Sequence, residues 1–181
     1  IITKQRGSVG NWRVYHKSLA AGYYLLLNST AAQANTLDIF TTTLPTSTVF
    51  SLGTTVAGEG TAVAYCFAEI AGYSKFGSYT GNGSADGTFV YTGFRPKYIM
   101  SKSTSGSRFW FVTDTSRDPY NVCNLPLFTN DSQGETAGTT AYDILSNGFK
   151  ARTTNAAVNG SGETHIFMAF AENPFKYARA R

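Results

Sequence analysis

Few residues in this chain are of a type and spacing that could do chemistry. The nearest approach to a cation site is Asn82-x-Ser84-x-Asp86-Gly87, where oxygen-bearing side chains alternate before a glycine, as in the first half of a calcium loop. The twelfth position counted from Asn82 is Gly93, so the bidentate carboxylate that closes such a loop is missing, and an ordinary Gly/Asn hairpin loop is the favoured reading. Zinc has no support: Cys66, Cys123, His16 and His165 stand apart from one another in sequence. A Ser-His-Asp triad would have to use one of those two histidines, and each reads better as a packed or surface residue. Glu69 and Glu172 each end an apolar run singly, so the carboxylate pair of a glycosidase is absent and both read as structural. No Gly-x-x-x-x-Gly-Lys phosphate loop is present. The expectation is a protein that is not an enzyme and carries no cofactor, with calcium at Asn82, Ser84 and Asp86 as the weak exception.

Recognition remains. Sugar binding calls for flat aromatic faces beside planar polar groups, and tyrosine and asparagine supply them at small entropic cost. Thr115-Ser-Arg117-Asp118-Pro119-Tyr120-Asn121 offers both, stiffened by its proline, and Lys17 to Tyr23-Tyr24 is its counterpart earlier in the chain. The candidate ligand residues are therefore Tyr23, Tyr24, Arg117, Asp118, Tyr120 and Asn121. The competing reading is that these tyrosines pack onto the body of the fold.

The elements that must position them read as two versions of one unit. Thr61 to Glu69 matches Thr164 to Glu172, each just after a Gly-x-Gly, and Trp12-Arg-Val14 matches Trp110-Phe-Val112. Ile1-Ile2-Thr3-Lys4 corresponds to the stretch from Tyr98 to Lys102, so the first unit lacks a counterpart of Tyr73 to Lys97. The expected division is residues 1–72 and 73–181, with the first unit truncated and the chain a fragment, a processed product or the ordered end of something longer. Short aromatic or β-branched runs predict strands at 12–16, 23–28, 48–52, 61–69, 74–80, 88–92, 97–102, 109–113, 142–145, 148–153 and 164–172. Asn147-Gly148 signals a type I′ hairpin, Ser29 to Thr36 a short helical turn, and Cys66 a buried position inside its strand. The spacing of strands predicts an all-β protein, an antiparallel sandwich of lectin-like or jelly-roll type built from two tandem repeats.

Composition agrees. Only 14% of the 181 residues are charged and 14% are aromatic, which suits Tyr/Thr-rich strands and not a disordered tail. The net charge of +4 is scattered apart from Lys176, Arg179 and Arg181, so no basic stripe for nucleic acid is present. No apolar run approaches the ~20 residues of a membrane span, and the opening residues show no signal-peptide pattern.

The run Tyr73 to Gly87 with Phe89 to Pro96, together with Trp12 to Ser18, Asn28 to Ala32, Leu145 to Lys150 and the ending Phe170 to Ala178, resembles the C-terminal β-repeats of virion proteins from marine tailed bacteriophages. That resemblance implies a structural protein of the virion surface, made in the host cytoplasm, of tail-fibre or tail-tip type. It implies other virion proteins as partners, self-association as a trimer by analogy, and a host cell-surface glycan as target. A purely structural decoration or fibre protein is the alternative, and a depolymerase a distant third.

Overall fold

A computed structural model of the chain describes residues 1–7, 9–58, 60–135 and 137–174. The basic group at Lys176, Arg179 and Arg181, and the Phe175 to Ala178 part of the ending, lie outside the described residues. In chain order the strands are β1 (Ile2–Gln5), β2 (Arg13–Val14), β3 (Tyr23–Leu26), β4 (Ala34–Asn35), β5 (Ala62–Tyr65), β6 (Ser74–Thr80), β7 (Phe89–Tyr91), β8 (Pro96–Ser103), β9 (Phe111–Asp114), β10 (Leu127–Phe128), β11 (Tyr142–Leu145), β12 (Gly148–Ala151) and β13 (Thr164–Ala171). Two short helices, α1 (Thr54–Gly58) and α2 (Ala156–Asn159), precede β5 and β13. Every strand pairing is antiparallel, and the protein is an all-β sandwich.

Three sheets are stacked. The first has the order β4-β3-β2-β1-β5, the second β10-β9-β8-β13-β6 and the third β11-β12-β7. Successive residues of a strand point to opposite faces, and the second sheet uses both faces for packing. Ile99, Phe111 and Phe167 join Val90, Ile144 and Phe149 of the third sheet in one core. Met100 and Ile166, one residue along, join Val14 and Leu25 of the first sheet in another, together with Trp110. A strand buried on both sides has no place for a polar alternation, which explains the nearly continuous apolar run from Ile166 to Ala171. A third cluster of Ile39, Phe40 and Val56, with Tyr15, Tyr24 and Leu52 against it, covers the far face of the first sheet.

Strand order and register run alike through the first two sheets. Ile2 pairs with Val14 and Tyr65, and Met100 pairs in the same way with Val112 and Met168. Thr3 meets Arg13 and Ala64 as Ser101 meets Phe111 and Phe167, and Val14 meets Leu25 as Val112 meets Leu127. Lys4 Nζ donates to the Gln5 carbonyl at 2.9 Å and Lys102 Nζ to the Ser103 carbonyl at 3.0 Å. The sheets differ at both edges: β6 lies outside β13 whereas β5 ends its sheet, and β4 lies outside β3 whereas β10 ends its sheet.

Four expectations are corrected. Ser29 to Thr36 is not a helical turn, because Gln33 N–H donates to Thr104 O at 3.0 Å and Ala34 and Asn35 pair with Tyr24 and Tyr23. Thr48 to Leu52 is not a strand; only Leu52 is bridged, to Phe40. Cys66 is exposed, since β5 has no neighbour on its outer side, while Cys123 is buried, and both thiols are free. The β11–β12 hairpin forms, but Leu145 pairs with Gly148, so Ser146 and Asn147 are the loop and Gly148 is in the strand. Glycine is needed there for closeness: a Cβ would sit 2.1 Å from Val90 O.

Buried polar groups between the layers are joined to each other. Tyr79 Oη lies 2.7 Å from Val158 O and 2.9 Å from Tyr142 Oη, which lies 2.6 Å from Ser101 Oγ. Only a hydroxyl can donate to the Val158 carbonyl, so protons must run from Ser101 to Tyr142 to Tyr79 to Val158. Trp110 Nε1 donates to Leu26 O at 2.8 Å, tying the second sheet to the first.

Candidate binding site

A cleft of about 490 Å³ opens beside the end of β5 and the start of β6. Its walls are Tyr15, His16 and Lys17 beyond β2, the Pro45–Phe50 turn, the Cys66–Glu69 segment beyond β5, and Phe76 of β6. The volume is that of a small-ligand pocket. Phe67 contacts Phe76 at 6.3 Å and Phe170 at 6.1 Å between ring centroids, giving the cleft an aromatic wall. The opposite rim bears hydroxyls. Thr46 Oγ1 accepts from the N–H groups of Thr48 and Val49, folding 46–49 into a tight turn that leaves Ser47 and Thr48 exposed.

Charge enters through one carboxylate. Glu69 is bridged to Lys17 and, at 2.5 Å, to Lys75. Slight burial opposes its ionisation, but the hydrogen bonds and charges of the two lysines hold the carboxyl below its ordinary range. Glu172, at the end of β13, is paired likewise with Arg95 at 2.9 Å.

His16 forms part of the floor. Its Nε2 donates to the Phe167 carbonyl at 3.0 Å and its Nδ1 accepts from Ser18 N–H at 3.1 Å. Both nitrogens are spoken for in the neutral ring, and burial pushes its pKa down to about 4. A base with no free lone pair takes no proton from a ligand. His165 is fully buried, stacked on Tyr79 at 5.0 Å, and burial also lowers it to about 4. The Cys123 thiol is raised to about 12, by burial first and then by Asp118 and Asp143, far from the thiolate that nucleophilic chemistry needs. The arrangement can stack, hydrogen-bond and ion-pair a ligand.

The residues singled out in the sequence fall elsewhere. Arg117 bonds Asp114 at 2.6 Å, Glu135 at 2.7 Å and Leu125 O at 3.0 Å. Buried Asp118 accepts from the N–H groups of Asn124 and Leu125 at 2.5 and 2.9 Å. Asn121 grips the backbone of Ile144 from both sides, accepting from its N–H at 2.8 Å and donating to its carbonyl at 3.0 Å. Tyr120 stands free, 80% exposed. Tyr23 packs in the core between the first and second sheets and Tyr24 in the outer cluster. In the possible calcium loop, Asn82 Oδ1 accepts from Ser84 N–H and Asn159 Nδ2, Ser84 Oγ accepts from Asp86 N–H, and Asp86 pairs with Lys150 at 2.5 Å. The Asn82 and Ser84 oxygens are turned into the loop, and the exposed Asp86 carboxylate is held by Lys150. Among the described residues no group of three or more His, Cys, Asp or Glu is placed to hold a metal.

Residues 1–174 match the sequence profile of DUF7483, described as a domain of unknown function. The chain belongs to the DUF7483 family. No curated protein and no solved structure matches it. In this DUF7483 domain the cleft escaped sequence reasoning because its walls come from Ile1 and four further separate segments. Lys17 and Glu69 were visible as polar residues flanking apolar runs, but nothing local indicated that they meet.

Proposed function

We propose that the chain is a binding module of a virion structural protein, and that it holds a host cell-surface glycan in the cleft between Lys17, the Pro45–Phe50 turn and Phe67. The observation that carries this reading is the pairing of an aromatic wall with a hydroxyl rim and an ion-paired carboxylate in one open cleft. A pyranose offers an apolar face to such a wall and hydroxyls to such a rim. Virion location rests on the sequence resemblance to phage repeats. The shared strand order of the first two sheets supports an origin by duplication, which is common in extended binding surfaces.

A glycan array probed with the intact protein tests this. Specific binding that is lost in Phe67→Ala and weakened in Lys17→Ala supports the cleft. Binding lost only in Tyr120→Ala moves the site to the 115–121 loop, and a folded protein that binds nothing removes the glycan reading. The alternative, a purely structural virion part, is favoured by one feature of the surface: Tyr65, Phe67 and Ile70 are exposed in a row beside an unpaired strand edge.

A further inference from the structure

Among the described residues most sheet edges are blunted, while β5 and the three-residue β7 carry neither charge nor proline. Edge strands expose unpaired backbone groups, and proteins blunt them with shortness, charge or a covering segment. Both β4 and β10 have two residues each. Lys75 lies on β6, paired to Glu69. Along β11 the Ile144 backbone is covered by Asn121 and by Arg95, whose Nη1 donates to its carbonyl at 2.9 Å. On β5 there is no such device. From Thr61 to Ala68 the chain has neither a charge nor a proline, and Tyr65 and Phe67 are 47% and 43% exposed.

We infer that the free edge of β5 receives a single β-strand with the chemistry of β6, supplied from outside residues 1–181. The second sheet supplies the template, because at the same register β13 carries β6 on the corresponding edge, from Ser74 against Phe170 to Thr80 against Thr164. The hydrogen-bonding groups are in place. Arg6 N–H donates to Thr61 O, and Val63 and Tyr65 pair with Lys4 and Ile2, so Ala62, Ala64 and Cys66 turn their N–H and C=O groups away from β1. The floor is also in place. β6 lies one strand further out than β5, and its Phe76 and Ser78 neighbour Met168 and Ile166, which face the first sheet. The aromatic contact of Phe67 with Phe76 and Phe170 therefore continues under the vacant position. An antiparallel second copy joined edge to edge through β5 would set its own projecting β6 against this one. One lone strand fits, an extended segment of about seven residues with alternate apolar side chains facing inward.

The test uses the intact protein and a fluorescein-labelled peptide with the sequence of residues 73–81. The expected result is saturable binding, with hydrogen-exchange protection appearing at the Ala62, Ala64 and Cys66 amides. Ala64→Pro removes one outward donor and leaves the β1 ladder intact, and binding should weaken at least about tenfold. Should that variant fold poorly, peptides N-methylated at one or the other set of alternate residues give the same answer with the unaltered protein: one set should abolish binding and the other should not. No saturation at millimolar peptide, equal binding of the scrambled sequence, or protection elsewhere overturns the inference. So does a protein dimer abolished by Ala64→Pro, which would make a second copy the occupant.

Discussion

At the scale of single residues the two histidines make a directional claim. Each imidazole titrates near 4 in the fold, against about 6.5 when unfolded, and burial is the leading cause. Above about pH 6.5 both states are neutral and the histidines add no pH dependence. Between there and 4 only the unfolded chain takes up protons, so stability falls as pH falls, by up to about 3 kcal/mol per imidazole. Urea midpoints measured from pH 7 to pH 4 should show this slope, and His165→Phe should flatten it; an unchanged slope would mean that His165 is not held neutral. The hydroxyl chain gives a second claim. Tyr142→Phe leaves buried Ser101 without its acceptor and Tyr79 without a donor, and should cost about 1–3 kcal/mol in denaturant unfolding. Single residues were the least legible in the sequence. Glu172 could be placed at a strand end because it closes an apolar run, but the same reading fails for Glu69, since β5 stops at Tyr65. Arg117, Asp118 and Asn121 looked like ligand groups because residue type does not show which backbone amides a loop will fold over. Tyr120, also of that set, stands with its side chain in solvent.

At the scale of elements the strong strands were readable and their limits were not. β6 and β11 lie where periodicity places them, from Ser74 to Thr80 and from Tyr142 to Leu145. Ser29 to Thr36 misled because clustered alanines favour helix weakly, and pairing with Tyr23, Tyr24 and Thr104 outweighs that preference. The Asn147-Gly148 signal marked the right hairpin for the wrong reason. Because Gly148 makes room for Val90 O, Gly148→Ala should push β7 off β12. A loss of roughly 2–4 kcal/mol is expected, well beyond the ~1 kcal/mol gained where alanine merely restricts an unfolded glycine. Thermal melts of the variant decide between the two signs. The 81–87 loop depends similarly on buried Asn159, whose side chain bonds Asn82, Ser84 O and Thr153 O. Asn159→Ala should loosen that loop first, read as faster amide exchange at Asn82 and Ser84.

At the scale of the whole molecule the sheets are not separable. Val14 and Leu25 of the first half are buried against Met100 and Ile166 of the second, and Trp110 bonds Leu26 O across the same layer. Heat should therefore unfold the protein in one transition, and residues 1–72 produced alone should lack cooperative unfolding; a folded 1–72 fragment would show the first sheet to be self-sufficient. The stacking of sheets was beyond the sequence, since the apolar run of β13 states that both faces are covered and not by what. That double coverage also governs how such a protein can change over generations. A residue on the outward face of the third sheet, such as Tyr91 at 64% exposed, can drift without consulting a core. On β8 or β13 nearly every position answers to one core or the other, so change there must arrive as matched exchanges across a layer. These two strands are where distant members of the family should still look alike, and the loops around the cleft are where they should have parted.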